Sequence, residues 1–153
     1  MTDVQESVTG FEEPEAIVRR FFEDGWNAGN AESVADLIAE DYDSNDGGFF
    51  VTGSDVPGGL RRLHGVDAFA KHLNRYAERY GELRFAIDKL IVDGSQVVVI
   101  WSPSGIVLGR TFTNRGGQES HFELGGQGVS VIEIDNGRVI RNDMFWPIGP
   151  NSA

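Results

Sequence analysis

Apolar residues fall at helical spacing in the first half of this chain and at strand-like spacing in the second. Ile17, Val18, Phe21, Phe22 and Trp26 form one stripe, and Pro14 suits the first turn of the helix that would carry it. Gly29-Asn30 interrupts the stripe. Val34, Leu37 and Ile38 then predict a second, short helix over Ala31 to Ala39, with Asn30 as its N-cap. Gly47 to Gly59 holds five glycines and a proline and reads as a loop, in which Phe49-Phe50 is either a pocket lid on a glycine hinge or a plain surface flap. A third helix is predicted from about Val66 to Tyr80, with Phe69, Leu73 and Tyr76 on one face. Beyond it, Leu83–Val92, Gln96–Ser102, Ile106–Thr113, Ser120–Ile134 and Arg138–Trp146 read as strands separated by turn-forming residues such as Asp93-Gly94 and Asn136-Gly137. Helices first and consecutive strands afterwards indicate an α+β class, with the helices packed on one face of a curved sheet.

Composition narrows the function. The 153 residues suit one domain with a substantial core: a flexible acidic leader over 1–12, a single domain over 13–148 and a flexible tail over 149–153. Zero cysteines exclude disulfides, thiolate metal sites and cysteine nucleophiles. The net charge of −11 argues against nucleic acid, because Arg19-Arg20 and Arg61-Arg62 are isolated doublets and not a basic stripe. No uncharged apolar run is long enough for a membrane span, and the start lacks the basic and apolar regions of a secretory signal, so the cytoplasm is the expected location. Neither a metal site nor a cofactor cradle is legible: His64, His72 and His121 are scattered, and the glycine pairs lack a strand-to-helix context.

The closing stretch concentrates the candidate chemistry. Asp143 stands among apolar residues on the final strand, and burial there would call for hydrogen-bond donors or a raised pKa, either of which suits general acid/base work. If Asn136-Gly137 makes a two-residue hairpin turn, Asp135 faces Arg138, Ile134 faces Val139, Ile132 faces Arg141 and Ser130 faces Asp143. One sheet face then presents Ser130, Arg141, Asp143 and Phe145 together. His121 falls on the opposite face by strict alternation, beside Glu119 and Glu123, unless a bulge at Gly125-Gly126 turns it inward. His64 and His72 read as structural, and Trp26, Trp101, Phe69, Tyr76 and Phe145 as core or pocket wall.

The phrases AIVRRFFEDGWNAGNAESVADLIAEDY, LHGVDAFAKHL, DGSQVVVIWSPSG and IEIDNGRVIRNDMFWP, in that order, resemble the nuclear-transport-factor-like superfamily, which includes the ketosteroid isomerases, and within it the SnoaL-like polyketide cyclase group. The resemblance implies a conical fold: N-terminal helices on a strongly curved, mostly antiparallel sheet that encloses an apolar pocket. It also implies homodimerisation through the outer sheet face and a small, polyketide- or terpenoid-like substrate. Asp143 would carry the acid/base role of the family's closing-strand Asp, while Ser130 stands where the cyclases place a supporting His. Tyr42, Ser44 and Asp46 would supply polar cavity groups. The Asp-Arg-Asp set of the epoxide-hydrolase branch is incomplete, since Ser102 and Ser104 stand where an Arg and a second Asp would be needed. The expectation is therefore a cofactor-independent cyclase, isomerase or dehydratase, with Asp143 and His121 as catalytic residues and Tyr42, Ser44, Asp46, Tyr76, Trp101, Ser130, Arg141 and Phe145 around the substrate. The rival expectations are a non-catalytic ligand-binding or dimerisation module and an epoxide hydrolase or epoxide-opening cyclase.

Overall fold

A computed structural model describes residues 12–46 and 64–147. The leader apart from residue 12, the Phe49-Phe50 segment and the tail lie outside the described residues. The apolar stripe forms as expected. An α-helix, α1 (Pro14–Arg20), starts with proline in its first turn and continues without a break as a π-helical segment, Phe21–Asn27. The stripe residues Ile17, Val18, Phe21, Phe22 and Trp26 are all buried. Asn30 then caps the next turn, its Oδ1 accepting from the backbone N–H of Glu32 and of Ser33.

That next element differs from expectation. It is a short 3-10 helix, Glu32–Leu37, and the chain passes directly into strand β1 (Ile38–Asp46). Tyr42, Ser44 and Asp46 therefore sit on a strand and not in a loop after a helix. Helix α2 (Gly65–Arg79) matches the predicted third helix and buries Phe69, Leu73 and Tyr76. Strands β2 (Tyr80–Asp93), β3 (Gln96–Thr113), β4 (Glu119–Glu123), β5 (Gly128–Asp135) and β6 (Arg138–Phe145) follow. Pro103-Ser104-Gly105 does not end a strand. A bulge absorbs it, where Glu82 and Leu83 on β2 oppose Gly105 on β3 between the pairs Gly81–Ile106 and Arg84–Ser104. Conversely, the long stretch Ser120–Ile134 splits into β4 and β5.

The sheet order is β1-β6-β5-β3-β2, with β4 paired to the distal half of β3. β1 runs parallel to β6, and the other neighbours are antiparallel. The helices cover one sheet face, where an aromatic cluster makes the core. Phe21 stacks on Phe69 at 5.0 Å, Trp26 meets Phe69 and Phe85 edge-on, and Trp101 meets Phe85 at 4.9 Å and Trp146 at 5.0 Å. Edge-to-face contacts between such rings add roughly 0.5–1.5 kcal/mol each to the burial of their area. Asn27 ties the helical layer to the sheet, donating to the Phe85 carbonyl at 2.9 Å and accepting from its N–H at 2.6 Å.

Candidate ligand-binding site

The β5–β6 hairpin decides which polar side chains face the core. Its turn has the predicted form: Asn136 (φ 52°) and Gly137 (φ 73°) both adopt positive φ, as a two-residue turn of the primed type requires. Asp135 faces Arg138 and Ile134 faces Val139, as expected. The next pair is Glu133 with Arg141, so Ile140 is an extra residue bulged out of the ladder. From that point the faces are exchanged. Ile132 pairs with Asn142, Val131 with Asp143 and Ser130 with Met144. The expected Ser130–Asp143 partnership is thereby corrected, since the two side chains lie on opposite sides of the sheet.

On the helix-facing side stand Tyr42 and Ser44 of β1, Asn142 and Met144 of β6, Ser130 and Ile132 of β5 and Trp101 of β3, all buried. Ser44 Oγ donates to the Asn142 carbonyl at 2.7 Å, which fixes β1 against β6. Trp101 Nε1 donates to Ser130 Oγ at 2.9 Å. Gly128 permits that bond, for a Cβ there would lie 2.2 Å from the Trp101 ring. Tyr42 packs against Phe21 and Phe69, and Tyr76 accepts from Trp146 Nε1 at 2.6 Å. Five of the residues expected around a substrate (Tyr42, Ser44, Tyr76, Trp101 and Ser130) are thus buried on the core side. Asp46 ends β1 in register with Met144.

Asn142, which the sequence offers only as one of several groups beside Asp143 that could polarise a substrate, is the most telling group on this face. It is fully buried at 0% exposure, yet neither its Nδ2 nor its Oδ1 has a hydrogen-bond partner. A buried amide left in that state loses about 1–3 kcal/mol per unsatisfied group. Such groups are rare in folded proteins. The sequence offered one cue: Asn142 is the uncharged polar residue between Arg141 and Asp143, which suits a dry environment once the bulge sets the register.

The remaining predicted residues lie elsewhere. Asp143 is on the outer sheet face with 23% of its side chain exposed, held by Arg141, whose Nε donates to both carboxylate oxygens at 3.0 Å. The Arg141 Nη1 reaches Asp43 of β1 at 3.2 Å. The hydrogen bond to Asp143, reinforced by the charges of Asp143, Asp43 and Glu133, holds the guanidinium above its ordinary pKa, against a smaller opposing effect of burial. The expected dry hollow around Asp143 is corrected: its surroundings are a partly exposed ion-pair network. Phe145 is also on the outer face, 53% exposed. His121 is exposed on β4, opposite Thr111, so no bulge brings it inward. His72, by contrast, is buried among the rings of Trp26 and Tyr76.

Among the described residues no group of three or more His, Cys, Asp or Glu side chains could hold a metal, and no helix is long and apolar enough to cross a membrane. The broad cleft of about 540 Å³ beside the β5–β6 turn is lined by Asp36, Glu40, Asp41, Asp135 and Arg138 among others, and by none of the catalytic or substrate-binding candidates expected from the sequence.

A helical layer on a curved mixed sheet, with a buried polar face on the closing strands, defines a cone of the nuclear-transport-factor-like class. The chain belongs to the SnoaL-like domain family, whose model matches residues 18–142. Solved structures agree on the fold. A ketosteroid isomerase-like protein from Catenulispora acidiphila, solved with trimethylamine, is 12% identical, with 88% of each chain covered and a TM-score of 0.63. A nuclear-transport-factor-like protein from Burkholderia pseudomallei is 18% identical over 90% of this chain and 92% of its own, with a TM-score of 0.64. IdmH of Streptomyces antibioticus, a candidate polyketide cyclase, is 15% identical over 88% of this chain and 91% of its own, with a TM-score of 0.65. No curated protein matches the chain.

Proposed function

We propose that this protein binds a small, largely apolar metabolite bearing a carbonyl group between the helical layer and the sheet, and that Asn142 is its polar anchor. The observation that carries this reading is the buried amide with both its donor and its acceptor open. A carbonyl oxygen would take the Nδ2–H, and a neighbouring hydroxyl or enol would give its proton to Oδ1. The aromatic side chains packed on the same sheet face, Trp101 and Tyr42 among them, would supply apolar contact, as small-molecule sites usually require. Chemistry of the cyclase or isomerase kind would then run by hydrogen-bond stabilisation of charge developing on the carbonyl oxygen. Asp143, paired to Arg141 on the other face, would hold the sheet and not exchange the substrate's proton.

The test compares two variants against a panel of cyclic ketones and polyketide-like lactones, by calorimetry and by turnover. Asn142→Leu should abolish binding and any turnover, whereas Asp143→Asn should leave affinity within about twofold, the scale of a minor change at a remote exposed pair. Loss of activity in Asp143→Asn with Asn142→Leu unaffected would restore the acid/base reading and remove this one.

The outer face favours self-association. Ile91 and Phe145 are exposed there at 44% and 53%, and the register puts half-buried Val98, Ile100, Val129 and Val131 between them. We assign that face to a homodimer contact, with Arg141, Asp143 and Asp43 at its polar margin.

A further inference from the structure

Four unusual features meet at the end of the molecule where the π-helical segment, the last turn of α2 and the start of β2 converge. A cleft of about 230 Å³ lies there, walled by Trp26, Leu73, Tyr76 and Tyr80, with Asn74 and Glu82 at its exposed margin. Its wall includes the end of a π-helix, a geometry that costs stability and recurs at functional sites. Glu82 adopts φ 55°, which an L-residue other than Gly or Asn seldom does; the bulge against Gly105 imposes it and sends the chain past the cleft. Trp26 is 3% exposed and its Nε1 has no hydrogen-bond partner, while the indole N–H groups of Trp101 and Trp146 are both satisfied. Of the core-side candidates named above, Tyr76 lines this cleft, whereas Tyr42, Ser44, Trp101, Ser130 and Asn142 do not.

Its electrostatics are one-sided. Positions 26–28, where the π-helical segment ends, and positions 76–77, in the last turn of α2, both contribute to the lining, so two helix C-termini direct carbonyl groups toward this end. Glu82 adds a full negative charge and makes no ion pair among the described residues. Arg79, in the same last turn of α2, does not line the cleft. A carboxylate and helix C-termini beside a wall of Trp and Tyr rings favour an organic cation.

We infer that this cleft is a second binding site, separate from the Asn142 face, for a small organic ammonium ion. The ammonium group lies toward Glu82 and the aromatic rings. The volume admits a ligand of only a few heavy atoms, below the usual range for drug-sized sites.

The experiment uses full-length protein with ¹⁵N-labelled tryptophan, choline as the probe and 3,3-dimethylbutan-1-ol as its uncharged isostere. The Trp26 indole signal is assigned through its contact with His72, whose ring centroid lies 4.8 Å away. Choline should move that signal saturably at millimolar concentrations and leave Trp101 in place, and the neutral isostere should bind at least about fivefold more weakly. Glu82→Gln should weaken choline about fivefold, the effect of one charge near a protein surface, without altering the isostere. Because the conformation of Glu82 is strained, Asn74→Lys provides an independent check: a cation at the cleft margin should suppress choline binding in a folded protein. Equal binding of choline and its isostere, no saturable shift at Trp26, or unchanged choline affinity in Asn74→Lys would each overturn the proposal.

Discussion

Replacing Asn142 with Leu should make the ligand-free protein more stable, an unusual expectation for a substitution at a fully buried position. The two side chains branch alike and have the same number of heavy atoms, so the change exchanges polarity with little alteration of shape. In the native chain both amide atoms are buried without partners. Each unsatisfied group costs about 1–3 kcal/mol. Part of the total is returned by relaxation, and the slightly larger methyl groups must fit beside Ile132 and Met144, so a net gain of about 1–3 kcal/mol is expected. For a domain of this size that raises Tm by roughly 3–10 °C. Urea denaturation provides the measurement, with the midpoint moving up and the slope unchanged. The companion variant Asn142→Asp should lose several kcal/mol at neutral pH, since a buried carboxylate has no cation to meet. Its sign with pH is fixed. A buried carboxyl keeps its proton to higher pH than the unfolded chain does, so the loss is absent below about pH 4 and grows as pH rises. An Asn142→Leu protein less stable than wild type by more than about 1 kcal/mol would refute the reasoning, for the amide would then be bonded internally and not waiting for a ligand.

Three further outcomes follow from the same structure. Gly128→Ala drives a methyl group into the Trp101 ring, where the nearest ring carbon would be 2.2 Å away; it should cost about 1–3 kcal/mol by thermal or urea unfolding, and a double-mutant cycle with Trp101→Phe should recover part of that loss. Asp88 accepts from Ser102 Oγ and, at 2.8 Å, from Gln127, and these bonds hold its pKa below the ordinary aspartate value. Its contribution to stability is thus present above the unfolded-state pKa and lost as pH falls through the depressed folded one; Ser102→Ala should raise the Asp88 pKa in a carboxyl NMR titration and flatten the acid limb of stability. Phe145→Glu on the outer face should shift the sedimentation profile toward monomer with the helix and strand content unchanged in circular dichroism, and an undisturbed dimer would reject the proposed contact.

Long, periodic segments were readable in the sequence because burial enforces their period. The stripe from Ile17 to Trp26 and the face of α2 fall where the 3.6-residue repeat puts them. β1 was not readable as a strand. Glu40, Asp41, Asp43, Asn45 and Asp46 have poor strand propensity, and what makes them a strand is parallel pairing with β6, almost a hundred residues away. The breaks at Pro103 and Gly105 misled in the other direction, since a bulge on β2 absorbs them and the ladder continues. Of the residues expected around a substrate, Tyr42, Ser44, Tyr76, Trp101 and Ser130 are buried on the core side. Asp143, Arg141 and Phe145 were placed on the wrong face by one residue of register, and Asn142 was given only a supporting part for the same reason.

That single residue has a physical cause. Val139 and Met144 are both buried at 0% exposure but stand five positions apart, and strict alternation puts an odd separation on opposite faces. One extra residue must leave the ladder for both to reach the core, and Ile140 is that residue. Unbulged alternation would have carried Arg141 and Asp143 inward and turned Asn142 and Met144 out. Burying that ion pair would cost several kcal/mol for each ion before any return from their attraction. Burying the Asn142 amide costs less, and the carboxylate and guanidinium keep partial access to water. The same preference that selects the register therefore leaves a neutral amide, and not an acid, as the open polar group inside the cone. Under the proposed function, recognition then runs through hydrogen bonds to uncharged groups, and rate enhancement through orienting and polarising the substrate.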